Sequence, residues 1–166
     1  MAIVYVGVGT NCEREKHVHA AIDALSNHFG ELIVSSVFES EAVGFEGAAF
    51  YNLVVGFNTV LGVTELSTLL KCIEDQHGRQ RGGDHLFTER TLDIDILLYD
   101  DLVGTFGKVQ LPRKEILENA FVLWPLSEVA PDINHPAAKK TFSQLWQAYD
   151  KKSQQLSRIT LPNGCR

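Results

Sequence analysis

Two periodicities alternate along this chain, and their order leaves few architectures open. Strands put successive side chains on opposite faces, whereas helices return to one face every three to four residues. Residues 2–9, AIVYVGVG, form an apolar run suited to a buried first strand. A helical stretch follows to about Asn27, with Ala20, Ile22, Leu25 and Phe29 as its apolar stripe. Thr10 and Glu13 have the spacing of a capping box ahead of it. ELIVSSVFES and FYNLVVGFNTV read as the second and third strands, and TELSTLLKCIEDQHG as a second helix. Leu66, Leu69, Leu70 and Ile73 mark that helix's buried stripe, and Gly78 suits its C-terminal end. The fourth strand lies in RTLDIDILLYDD, where Leu92, Ile94, Ile96 and Leu98 recur at every second position.

Strand, helix, strand, strand, helix, strand is the split βαβ order of a ferredoxin-like α+β fold. It implies an antiparallel sheet with helices on one face and the other face available for a site. C-terminal additions follow: a short strand near Val109, then helix-prone RKEILENAFVLWPLSEVA and TFSQLWQAY. The tail after Lys151 is polar and weakly patterned. The 166 residues fit one domain spanning 1–166.

A formal charge of −6 argues against nucleic-acid and anionic-membrane partners, though not against a small anion that feels local charge. Cys12, Cys72 and Cys165 lack metal-type spacing, which reads as a reducing, cytoplasmic setting. The apolar start has no basic region before it and reads as a strand, not a signal peptide. No apolar run approaches the ~20 residues of a membrane helix.

Chemistry concentrates around the fourth strand. Asp93 and Asp95 alternate with its core residues and so share the opposite face, about 7 Å apart. Asp is a poor strand residue, and two nearby carboxylates raise each other's pKa. They are either a solvated strand face or hard oxygen ligands for Mg²⁺, which usually binds one or two carboxylates plus phosphate oxygens. Just upstream, GRQRGGDHLFTER carries Arg79, Arg81 and Arg90 around adjacent glycines. It is either a solvated loop or a basic one able to bind phosphates and close over a substrate. Glu74 is either a nucleotide contact or helix-surface charge. GVGTNC fails the phosphate-loop patterns, so its glycines are expected to ease strand-to-helix packing. His17 and His19 are expected on a helix surface, and no Ser-His-Asp or Cys-His set can be assembled from spacing.

These blocks resemble the 6-hydroxymethyl-7,8-dihydropterin pyrophosphokinase family. GRQRGGDHLFTERTLDIDILLY is similar to its G-R, variable loop, R-T-L-D-[IL]-D-[IL] signature. VGVGTN, FYNLVV and FVLWPLSEVAP resemble further family blocks in the same order, from about residue 3 to 131. The resemblance implies ATP-dependent transfer of pyrophosphate to the pterin hydroxymethyl group, giving AMP, for folate biosynthesis. Asp93 and Asp95 would hold two Mg²⁺ ions, and Arg79 and Arg90 would act catalytically on the phosphates. Glu74, Arg81, Ile96, Lys108 and Arg113 would face ATP. Ser40, Val43, Asn52, Phe50 and Phe121 would bind the pterin, with the two rings sandwiching it; without the resemblance, those rings read as core. A monomer acting on small molecules is expected. The chain departs from the family pattern at Arg113, where His is common, at Asn119, where Arg is frequent, and at Glu41 and Ala42, where prolines are usual. These departures keep two alternatives in view: a non-catalytic nucleotide- or pterin-binding relative, and a two-metal phosphohydrolase.

Overall fold

The computed structural model describes residues 1–40, 49–78 and 92–161. Its principal sheet follows the expected order. Strand β1 (Ala2–Thr10) leads through helix α1 (Arg14–Phe29) to the short strands β2 (Ile33–Val34) and β3 (Val37–Ser40). Strand β4 (Phe50–Thr59), helix α2 (Val63–Gln76) and strand β5 (Asp93–Tyr99) complete the split βαβ unit. Spatially the strands lie β5-β1-β4-β3, all antiparallel. The ferredoxin-like α+β architecture is therefore present.

Helices α1 and α2 pack on one face. Val4, Val6, Val8, Leu53, Val55, Ile94 and Ile96 meet Val18, Ile22, Leu25, Leu66, Leu70 and Ile73 in one buried cluster. Burying such side chains contributes about 1.5–3 kcal/mol each, which fixes the register of β1, β4 and β5. The α1 stripe runs through Val18, Ala21, Ile22 and Leu25, with Phe29 stacked 4.1 Å from Phe57; Ala20 lies beside it, half-buried.

Several local expectations need correction. Thr10 and Glu13 form no capping box: Glu13 sits at the helix start with φ 44°, and the Thr10 hydroxyl instead donates to the Cys12 carbonyl. His17 is buried, not surface, and its Nδ1 lies 2.6 Å from the Cys12 carbonyl oxygen. The second strand is split at Ser35. Its Oγ accepts the Val54 N–H, its own N–H donates to the Val54 carbonyl, and the pairing with β4 slips by one residue across the break. In β5 a similar slip falls between Ile96 and Leu98 against β1. Leu97 is the inserted residue, so Leu98 turns away from Ile94 and Ile96 and joins Tyr5 and Val54 on the other face.

That other face is only partly open. After the hairpin β6 (Gly104–Phe106) and β7 (Val109–Leu111) come helices α3 (Glu115–Glu118), α4 (Ala120–Val129) and α5 (Phe142–Ala148). The helix-prone stretch breaks at Asn119, whose extended backbone separates α3 from α4. Ile116, Val122, Leu123, Leu126 and Phe142 cover Tyr5, Val54, Leu97 and Leu98. Thr141 and Gln144 form a reciprocal capping box on α5. The polar tail supplies a further strand, β8 (Ser157–Ile159), on the outer edge of β3. What remains uncovered on this face, between α4 and strand β5, is where one cavity lies; a second lies along the edge of β5, against α2 and β7.

Candidate active site

The register of four strands sets the floor of the site. Phe38, Asn52, Gly9 and Asp93 stand in one row across β3, β4, β1 and β5, and Val54, Gly7 and Asp95 in the next. Neighbouring strands lie about 4.8 Å apart, so Asn52 and Asp93 are roughly 10 Å apart across a strand that offers only Gly9 between them. Gly7 and Gly9 thus do not serve helix packing: both line the cavity, and their missing side chains give it depth. A Cβ at Gly9 would stand 3.0 Å from Asn52 Oδ1.

The first cavity, about 270 Å³, is lined by Ser40, Phe50, Asn52, Phe121 and Val122, and by Asp93 and Asp95. Asn52 and Ser40 are buried, and the Asn52 amide donates to Ser40 Oγ at 2.8 Å. That bond orients the amide within the cavity wall. Phe50 opens β4 and Phe121 lies in the first turn of α4; both are half-buried and line the same space. Gln154, from the tail, holds the start of α4: its Oε1 accepts the Ala120 N–H at 2.8 Å and its Nε2 donates to Asn119 Oδ1 at 2.9 Å.

A second cavity, about 180 Å³, adjoins the first and shares Asp93, Asp95 and Arg113 with it. Its other walls include Glu74, Ile96, Lys108, Ser67 and Lys71. Glu74 is not surface charge. It is 5% exposed, and its Oε2 accepts the Ile94 N–H at 2.6 Å. The edge-strand amide between the two aspartates is thereby satisfied by a carboxylate, which fixes the backbone from which both project. Ile96 points its side chain into the helix-side core while bordering this cavity. Lys108 stands exposed just before β7.

Arg113 lies at the junction. Its backbone N–H donates to the Leu97 carbonyl, and its guanidinium is 2.9 Å from Glu115 and 3.8 Å from Asp95. Val43, Arg79, Arg81 and Arg90 lie outside the described residues. Sequence reasoning missed Ser67, Lys71, Glu115, Gly7 and Gly9. Ser67 and Lys71 were within reach, since they precede Glu74 by seven and three positions on one helix face.

The donor set fits a divalent cation. Asp93 and Asp95 offer neighbouring hard oxygen ligands, both half-exposed, above glycines that add no bulk. No cluster of three or more His, Cys, Asp or Glu side chains suited to a metal occurs among the described residues. Such an ion would draw its remaining ligands from substrate and water.

Fold and adjoining cavities together define the class: a ferredoxin-like α+β protein with one cavity on the open face of its sheet and a second along the edge of β5. Comparison with known proteins narrows this. The family model for 7,8-dihydro-6-hydroxymethylpterin-pyrophosphokinase (HPPK) matches residues 5–131, and the chain belongs to that family. A relative from Aquifex aeolicus, described as 2-amino-4-hydroxy-6-hydroxymethyldihydropteridine pyrophosphokinase, is 34% identical over 87% of this chain and 90% of its own. One of the same description from Bacillus subtilis is 32% identical over 86% of each. Among solved structures, Plasmodium falciparum HPPK-DHPS with pteroate superposes with a TM-score of 0.70 at 14% identity. It covers 91% of this chain, which spans 43% of that longer one, and it bears on the fold alone. No described helix is long and apolar enough to cross a membrane.

Proposed function

We propose that this protein transfers pyrophosphate from ATP to the hydroxymethyl group of 6-hydroxymethyl-7,8-dihydropterin, releasing AMP, as a step of folate biosynthesis. The observation that carries this reading is the shared border of the two cavities. Asp93 and Asp95 line both, so one carboxylate pair faces an aromatic, amide-lined space and a second space bordered by lysines. Family membership supplies the substrates that such a pair of spaces would take.

The pterin would enter the first cavity. Phe50 and Phe121 offer aromatic faces to its flat ring system, each contact contributing about 0.5–1.5 kcal/mol beyond area burial. The Asn52 amide, oriented by Ser40, would read the polar edge of the ring. A site built to pair such an edge rejects analogues that lack it, because its own buried groups would go unpaired. ATP would enter the second cavity, with Lys108 and Lys71 beside its phosphates and Arg113 at the crossing point. Arg79, Arg81 and Arg90 are assigned to the same phosphates by their place in the family signature. The transfer forms a bond from the substrate hydroxyl oxygen to the β-phosphorus and breaks the bond between that phosphorus and the oxygen left on AMP. The chain's contribution is alignment of the two reactants and stabilisation of charge.

Asp93 and Asp95 would hold Mg²⁺, two ions in our reading. Bound there, Mg²⁺ would supply charge neutralisation at the phosphate oxygens.

The test is incubation with ATP, Mg²⁺ and the hydroxymethyl dihydropterin, with nucleotide products separated. AMP in equal amount to pterin diphosphate is expected. ADP, inorganic phosphate alone, or no product from folded protein would overturn the assignment.

A further inference from the structure

The junction between the cavities holds a charge arrangement that the transfer reaction by itself does not require. Arg113 is tethered at its base, where its N–H donates to the Leu97 carbonyl on the edge strand. At its tip, Nη2 stands 2.9 Å from Glu115 Oε2 and 3.8 Å from Asp95 Oδ2. The first is a charge-assisted hydrogen bond; the second lies beyond hydrogen-bonding distance. Glu115 opens α3 and lines the first cavity, while Arg113 lines both.

We propose that Glu115 is a positioning residue: it draws the Arg113 guanidinium away from Asp95, so that the guanidinium does not compete with a divalent cation there. The inference rests on the reading of Asp93 and Asp95 as metal ligands. A guanidinium is charged at every working pH, so it cannot leave the junction by losing its proton. It pairs with whichever carboxylate is best placed. Asp95 is within about an ångström of direct pairing, and an arginine seated on Asp95 would contend with a cation for the same oxygens. Glu115 offers the better-placed alternative. Neutralising Glu115 would remove one negative charge from the junction and free the guanidinium to close on Asp95. Both changes weaken cation binding.

The experiment is a Mn²⁺ titration of folded protein without nucleotide, counting free ion by its electron paramagnetic resonance signal. Glu115→Gln keeps the shape and removes the charge. It should weaken Mn²⁺ binding roughly two- to fivefold, the reach of a partly exposed ion pair. The melting temperature should change little. The double variant Arg113→Gln with Glu115→Gln removes the competitor and should bring Mn²⁺ affinity back to at least the wild-type level. A merely structural Glu115 would not be rescued by a second substitution at its partner. Unchanged affinity in Glu115→Gln, or no recovery in the double variant, overturns the inference. Asp95→Asn in the same titration separates the two levels. If it abolishes a Mn²⁺ site while Glu115→Gln has no effect, the role of Glu115 alone falls. If it leaves Mn²⁺ binding intact, the metal reading falls and this inference falls with it.

Discussion

The two faces of the sheet are made by the same strands, yet they obey different rules. On the helix side, β1 presents Val4, Val6 and Val8 and β5 presents Ile94 and Ile96, all buried. One residue along, on the opposite side, β1 presents Gly7 and Gly9 and β5 presents Asp93 and Asp95. The first set is chosen for volume and burial. The second is nearly its inverse: no side chain where depth is needed, and charge where packing would prefer none. The period of two lets a strand carry both sets without compromise. The helix-side face is then packed throughout, while the opposite face packs part of its area under α3, α4 and α5 and leaves the rest to the cavity.

The contrast can be broken first at Asp95. Asp95→Asn should lower AMP production by on the order of a hundredfold or more, since several kcal/mol of charge stabilisation are at stake and each ~1.4 kcal/mol is tenfold. Its melting temperature in chelator should stay close to the parent's. Relief of repulsion from Asp93 is offset by losing the partner 3.8 Å from Arg113, and half-exposed pairs are worth about 1 kcal/mol at most. Near-parental turnover would show that the cavity face is ordinary surface.

Leu25→Ala tests the opposite face. Leu25 is fully buried under the sheet and lines neither cavity. Truncation should cost about 2–5 kcal/mol in urea denaturation. Turnover per folded molecule, measured where the variant remains folded, should stay within a few-fold of the parent. A large loss of turnover in folded protein would mean the two faces are coupled more tightly than alternation implies.

Gly9→Ala sharpens the comparison on the cavity floor. Its Cβ would meet Asn52 Oδ1 at 3.0 Å and the Phe50 ring at 3.8 Å. The Asn52 amide is held by Ser40, so the strain goes into the cavity wall. Overpacking of this kind typically costs ~1–3 kcal/mol, and pterin binding about tenfold weaker is expected. Gly7→Ala is the control, since the nearest group its Cβ would meet is the Leu97 side chain, at an ordinary 3.5 Å. Calorimetric titration with the pterin should separate the two; equal effects would argue against Asn52 as the group that matters.

The sequence carried one face better than the other for a physical reason. Alternation at Leu92, Ile94 and Ile96 is a local signal, and so is the pairing of Asp93 with Asp95. The turn of Leu98 to the other face is not local, because the extra residue at Leu97 shows itself only against β1. Glu74 is buried through an amide 20 positions away, and one helix residue cannot announce such a partner. Gly7 and Gly9 looked like packing glycines until their register opposite Asp95 and Asp93 was known. Strand β8 is three residues long with Ser157 and Arg158 in it, too short and polar for periodicity to reveal. The motif blocks made the aspartates and aromatics legible, but they contained nothing about Glu115.

The smallest expected effect concerns pH, and it also belongs to the cavity side, in the helical layer behind it. His135 is 2% exposed, packs its ring against Phe142, and accepts the Ala137 and Ala138 N–H groups on Nδ1. Backbone amides can only donate, so this nitrogen must stay unprotonated to keep both bonds. Burial accordingly pushes the imidazole below its ordinary value. In the unfolded chain it titrates near ~6.5. Below that pH the unfolded state takes up a proton that the folded state refuses, so stability falls as pH drops through ~6.5 and goes on falling until the folded group titrates. Above ~6.5 the contribution is complete. His135→Asn keeps an acceptor oxygen near the Nδ1 position and removes the titration. The urea midpoint of the parent should therefore decline more between pH 7.5 and 5.5 than that of His135→Asn, while Leu25→Ala should shift the midpoint equally at both. Parallel pH profiles for the parent and His135→Asn would show that the acid sensitivity of this layer lies elsewhere.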